Sequence, residues 1–229
     1  MPSFFAPDLN LESSFVYLSP EESQHLSRAR RMDVGAEVSL INGAGCRARG
    51  VYAGIEGRLA KIERIQGTQH APSDLQVTIA AAIPKGDRMR TMLDMLAQIG
   101  IHSFVPLECD RSNTNSVKGS AASKWQRYLI EACKQSDNPF LPSLQKTMTL
   151  KELLTNSEDQ ALFVAQPTGK RMTAMPGSKR LIGIVGPEGG FSAAEIGLLK
   201  GTQVTEIGLG QHILRTETAA ILLASKFNV

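Results

Sequence analysis

The chain has 229 residues, 42% hydrophobic and 21% charged, with a formal net charge of +3. These fractions are those of an ordinary globular protein and exclude a disordered or fibrous chain, and the length suffices for one large or two small domains with real cores. The small positive balance permits nucleic-acid binding without requiring it, because the placement of charge matters more than its sum.

Residues 1–70 read as β-rich. A short helix is expected from Ser19-Pro20-Glu21-Glu22 to about residue 30, since a serine cap, an early proline and acids in the first turn favour a helix start. Residues 36–41 alternate polar and apolar and end in Asn42-Gly43, a hairpin signal. Return strands follow at 47–53 and 58–65, with Gly54 and Gly57 between them, and short strands so spaced suggest a small barrel. Residues 67–74 are polar, contain glycine and proline and lack periodicity, which puts a domain boundary there: 1–70 and 71–229.

Strands then alternate with helices. Residues 75–83 form an apolar run, and Pro84-Lys85-Gly86-Asp87 turns into a helix with Met89, Met92, Leu93, Leu96 and Ile99 on one face. Gly100 ends that helix, and 102–107 make another strand. Residues 122–136 form a second amphipathic helix carrying Trp125, Leu129 and Ala132. Short buried strands are expected at 161–165, 181–185 and 204–209, with helices at 192–200 and 216–227. This alternation indicates an α/β layer with a mostly parallel sheet.

Cys46, Cys109 and Cys133 form no CxxC pair, and no Cys/His cluster has zinc-ligand spacing, so reduced thiols and no metal are expected. The N-terminus carries no basic stretch followed by a long apolar core, and no apolar run reaches membrane-spanning length. A cytoplasmic protein without a membrane partner is expected.

Two turns near the C-terminus carry the chemistry. Gly186-Pro187-Glu188-Gly189-Gly190 leaves a buried strand at its carboxyl end, where open α/β sheets bind ligands, and its glycines let backbone groups approach one closely. Ser192 and Glu195 form a capping box for the next helix. The loop is neither a Walker A nor a GxGxxG sequence, and taken alone it suits a ligand-free connection as well as a site. The second turn, Leu209-Gly210-Gln211-His212-Ile213-Leu214-Arg215-Thr216-Glu217, sets an apolar pair beside charges at a helix start. Apolar side chains around a base, with backbone at its edge, suit a nucleoside. Arg215 and Glu217 equally suit the solvated, capped end of a helix.

Together these two turns resemble the RsmE family, 16S ribosomal RNA uridine N3-methyltransferases of the SPOUT superfamily. The resemblance extends to His25-Leu26 with Arg28 and Arg31, Lys85-Gly86-Asp87-Arg88-Met89, Pro106-Leu107 with Arg111-Ser112, Trp125, Glu131-Ala132 and Gln135-Ser136. It implies a PUA-like β-barrel followed by an α/β domain tied in a trefoil knot, S-adenosylmethionine (SAM) bound at the knot, and a homodimer. It further implies that Ile184, Gly186, Pro187, Glu188, Gly189, Leu209, Gly210, Ile213, Leu214 and Arg215 line the cofactor, with Val164, Gln166 and Pro167 as a third wall. The family usually has a Lys and a Glu at the places of Met95 and Gln98, and Pro-Arg where this chain has Gln211-His212. A catalytically weak or silent RNA-binding homologue of the same fold, which a SAM titration would distinguish, and an RNA methyltransferase with a different target nucleotide are therefore the competing readings.

Methylation at uracil N3 requires a group that stabilises the uracil anion or accepts its proton. Arg215 is the expected cation and Glu217 the expected proton-handling group. RNA of the small ribosomal subunit would be held by Arg28, Arg30 and Arg31 at the end of the first helix, with Arg47 and Arg49 nearby, and by Lys85, Arg88 and Arg111 at strand ends of the second domain.

Overall fold

The computed structural model describes residues 1–29, 32–112, 119–173 and 177–227. The chain divides into two compact units, Met1–Pro72 with Ile130–Leu141, and Ser73–Leu129 with Pro142–Val229.

The first unit contains β1 (Ser3–Phe5), β2 (Phe15–Tyr17), α1 (Pro20–Gln24), β3 (Glu37–Ile41), β4 (Cys46–Glu56) and β5 (Leu59–Gln69). Its sheet runs β1-β3-β4-β5-β2, antiparallel except for the parallel β1–β3 edge. Ser19 caps α1, its hydroxyl accepting from the Glu22 amide at 3.2 Å, and the helix widens into a π-helical turn at His25–Ala29. At the β3–β4 hairpin the Asn42 side chain accepts from the amides of Ala44 and Cys46 at 2.8 and 2.9 Å. Gly54 lies inside β4, where the β4–β5 register slips, so the turn comes later, around Gly57 in the left-handed region. β5 continues to Gln69, into the stretch expected to be linker, because its polar end still pairs with the start of β4.

Residues 130–141 belong to this unit because of a buried ion pair. The Lys134 ammonium donates to Glu22 at 2.7 Å and to Glu131 at 2.8 Å. Asp137, held at φ 58°, accepts from the Ser39 hydroxyl at 3.1 Å and pairs with Arg47.

The second unit begins with β6 (Gln76–Ala82), α2 (Arg88–Ile99), β7 (Ser103–Glu108) and α3 (Gly119–Ser136), whose last residues from Ile130 onward belong to the first unit. Then come β8 (Ser143–Leu144), β9 (Met148–Thr149), α4 (Leu150–Thr155), β10 (Ala161–Lys170), β11 (Arg180–Val185), α5 (Ala193–Lys200), β12 (Val204–Ile207) and α6 (Thr216–Phe227). All pairs in the sheet β12-β10-β11-β6-β7-β8 are parallel, with β9 also on β7. This is a mixed α/β fold built on a parallel sheet. Its central strands are buried on both faces, which is why they read as unbroken apolar runs.

α2 turns Met89, Met92, Leu93 and Leu96 inward and ends at Gly100, whose φ of 86° a side chain would resist. α6 packs against α2, β6 and β11. Gly183 in β11 makes that possible, since a Cβ there would stand 2.7 Å from Leu223 of α6. No helix among the described residues is long and apolar enough to cross a membrane.

Candidate cofactor cavity

Three neighbouring strands, β12, β10 and β11, end at the same edge of the sheet, and the segments that leave them surround one cavity of about 290 Å³. That size lies at the small end of ligand pockets, roughly 300–1,000 Å³. From β10 come Ala165, Gln166 and Pro167, placed where the β10–β12 pairing breaks between Ala165 and Lys170. From β11 come Val185 and the run Gly186 to Phe191. After β12 come Leu209, Gly210, His212, Ile213 and Leu214, with Thr216 and Ala219 of α6 behind them.

Local chemistry fixes the glycine loop. The Gly190 amide donates to the Pro187 carbonyl at 2.8 Å, closing a tight turn with Gly190 at φ 69°. The capping box of α5 forms as expected: the Ser192 hydroxyl accepts from the Glu195 amide at 3.2 Å, and the Ser192 amide donates to Glu195 at 2.7 Å. Glu195 also accepts from the Asp110 amide at 3.1 Å, and the Ser192 hydroxyl donates to Asp110 at 2.5 Å. Thr216 donates to the Gly186 carbonyl at 3.1 Å and so joins the second turn to the first. Arg88 pairs with Glu188, and Arg111 donates to the Gly189 carbonyl at 3.1 Å.

Of the residues expected at the cofactor, Gln166, Pro167, Gly186, Pro187, Glu188, Gly189, Leu209, Gly210, Ile213 and Leu214 all line this cavity. Val164 and Ile184 do not: each precedes the strand end that opens on the cavity, and its side chain packs in the hydrophobic core. Arg215 is exposed and outside the lining. Glu217 is buried on the first turn of α6, and its Oε2 has no hydrogen-bond partner among the described residues. Val185, Phe191, Thr216 and Ala219 are lining residues that sequence reasoning did not single out, although Thr216 sits within the second turn and the others lie within two residues of one turn or the other.

The expected RNA-binding cations fare differently. Arg30 and Arg31 lie outside the described residues, and Arg28 is described only in its backbone. Arg47 and Arg49 are engaged by Asp137 and Glu37. Lys85 is exposed, while Arg88 and Arg111 are tied to the glycine loop. Burial pushes the Cys109 thiol up to about 12, with Glu195 and other nearby carboxylates adding to the rise, and burial alone does the same for Cys133. No group of three or more potential metal ligands occurs among the described residues.

A parallel-sheet domain with a backbone-walled cavity at its carboxyl edge is the kind of site that known proteins can be compared with. Residues 71–228 match the family model described as an RNA methyltransferase domain, and the chain belongs to this family of RNA methyltransferases. Its relatives include the ribosomal RNA small subunit methyltransferase E of Bacillus subtilis, 25% identical over 223 residues, 91% of this chain and 87% of the relative. The enzyme of the same name from Rickettsia conorii is 32% identical over 151 residues, 63% of this chain and 61% of the relative. Among solved structures, a Legionella pneumophila methyltransferase in complex with the cofactor SAM superposes with a TM-score of 0.88 at 26% identity, covering 99% of this chain and 96% of that one. The family is thus the RsmE family that the motifs resemble.

Proposed function

We propose that the chain is a SAM-dependent methyltransferase acting on N3 of a uridine in the 16S ribosomal RNA of the small subunit. The observation that carries this reading is the cavity itself. Pro167, Leu209 and Leu214 offer apolar surface for the faces of an adenine, and the side-chain-free Gly189 and Gly210 leave backbone groups open to its edge and ribose. A Cβ at Gly210 would meet nothing within 4 Å, so the space beside it is open. When bound, the cofactor supplies a methyl group already activated on a sulfonium.

The chain's own task is then to hold uracil N3 in line with the methyl group and to favour loss of its proton. Arg215 and Glu217, at the start of α6, are the groups we propose for charge stabilisation and proton handling. We read the segments that enclose the cavity as a trefoil knot and the first unit as a PUA-like RNA-binding barrel, with Arg28, Arg30 and Arg31 as its RNA contacts. Lys85, Arg88 and Arg111 extend the RNA surface on the second unit, and the working protein is a cytoplasmic homodimer. The names of the relatives and the SAM-bound Legionella structure support this reading.

The test is mass spectrometry of small-subunit RNA from cells with and without the gene. One N3-methyluridine is lost on deletion and regained on complementation. An unchanged set of methylated uridines contradicts the proposal.

A further inference from the structure

The cations bordering the cavity are not equivalent. Lys85, Arg111 and Arg215 are exposed, and Arg111 is engaged by a main-chain carbonyl. Arg88 differs in two respects. Its Nε donates to the Lys85 carbonyl at 3.1 Å, and its Nη1 is paired with Glu188, itself a lining residue, so the guanidinium is anchored at two points, one of them on the cavity wall. Its side chain is also only 29% exposed, so it is held against the protein rather than freely solvated.

We propose that Arg88 is a second cation that stabilises the uracil anion, beside Arg215, with Glu188 as the positioning residue that aims it; this rests on the methyltransferase reading above. Loss of the N3 proton by way of Glu217 leaves one negative charge shared by O2, N3 and O4. The N3–carbon bond then forms as the methyl–sulfur bond breaks, and the charge is cancelled. A fixed guanidinium donating to a uracil oxygen lowers the energy of that anion without having to reorganise during the reaction. A planar fork suits the oxygen and leaves N3 unobstructed, whereas a lysine would supply only a point charge.

The experiment uses purified full-length protein, SAM and small-subunit RNA in single-turnover reactions across a pH series. Asp87, Arg111, His212, Arg215 and Glu217 are the other charged or titratable groups on the bordering segments, so every variant is compared with wild type at each pH. Arg88→Ala lowers the methylation rate by about 10²–10³-fold at neutral pH, and the deficit narrows as pH rises towards the range where N3 ionises unaided. Arg88→Lys recovers part of the rate. Glu188→Gln, which keeps a hydrogen-bond acceptor for Arg88, loses less than Glu188→Ala.

A second readout is independent of turnover. With the demethylated cofactor product and RNA carrying ¹⁵N-uridine, the target N3 ionises at lower pH on wild type than on Arg88→Ala. Calorimetric titration with SAM gives the same affinity for Arg88→Ala as for wild type. A pH-independent deficit or equal N3 titration on the two proteins overturns the assignment. Wild type that produces no N3-methyluridine would instead overturn the methyltransferase reading itself.

Discussion

Gly169 lies where the end of β10 crosses the segment leaving β12, and replacing it with alanine tests how that crossing supports the cavity. A Cβ on residue 169 would stand 2.6 Å from the Gly208 nitrogen and 2.7 Å from the Ile207 nitrogen. Ordinary contact is about 3.5 Å, so the two backbones must separate by about 1 Å, and neither can yield by a rotamer change. The Gly208 amide donates to the Lys170 carbonyl at 2.9 Å, and that bond would stretch beyond hydrogen-bonding range. Overpacking costs about 1–3 kcal/mol and the lost bond about 1 kcal/mol, offset by about 0.4–1 kcal/mol from the stiffer unfolded chain. The net expectation is a loss of about 1–3.6 kcal/mol, or a melting point lower by roughly 2–14 °C for a chain of this size. Because Leu209 and Gly210 follow directly, affinity for SAM falls as well. Gly197→Ala is the control: this glycine is exposed within α5 with nothing near its missing Cβ, and alanine there is expected to stabilise by about 0.5–1 kcal/mol. Thermal melts of both variants with SAM titrations decide the matter. Gly169→Ala melting within a degree of wild type, with unchanged SAM affinity, refutes the reasoning.

Other outcomes follow from the same physical grounds. Glu22→Ala removes one of two partners from buried Lys134 and destabilises the protein by about 3 kcal/mol in urea unfolding; Glu131→Ala, which removes the exposed partner, costs less than 1 kcal/mol. Ser192→Ala deletes the α5 cap and the link to Asp110, costs about 1–2 kcal/mol and weakens SAM binding measured by calorimetry. Cys109 and Cys133 are held protonated in the fold, each at about 12, so the folded state binds more protons than the unfolded state between the ordinary thiol range and that value. Their contribution is fully present below about pH 8.5 and is lost as pH rises towards 12. Urea midpoints therefore fall along that interval, and Ellman's reagent labels these thiols in the native protein far more slowly than after unfolding.

Much of the second unit could be read directly because parallel strands buried on both faces are plain apolar runs, and the helices between them carry caps and glycine stops such as Gly100. The short α4 was missed although Thr149 and Glu152 form a capping box, since six residues show too little periodicity to register. The polar ends of β5 and β10 were missed because ladder partners, not side-chain pattern, make them strands. That residues 130–141 join the first unit could not be foreseen, because the ion pair joining Lys134 to Glu22 spans 112 positions.

The cavity walls were legible for a specific reason: a ligand held by backbone needs glycines at strand ends, and glycines are visible in a sequence. Arg88 and Glu188 are 100 positions apart, so only the fold brings them together. Sequence spacing, in turn, gave no means of telling a lining residue from its buried neighbour, as Val164 and Ile184 illustrate.

The most direct test of the central claim is calorimetric titration of SAM into wild type and into Ala219→Leu. Ala219 lines the cavity from α6, and a leucine there adds three carbons to its wall. Wild type binds SAM saturably, and the filled variant, folded by circular dichroism, binds none. Equal binding by both, or none by either, contradicts a SAM site in this cavity.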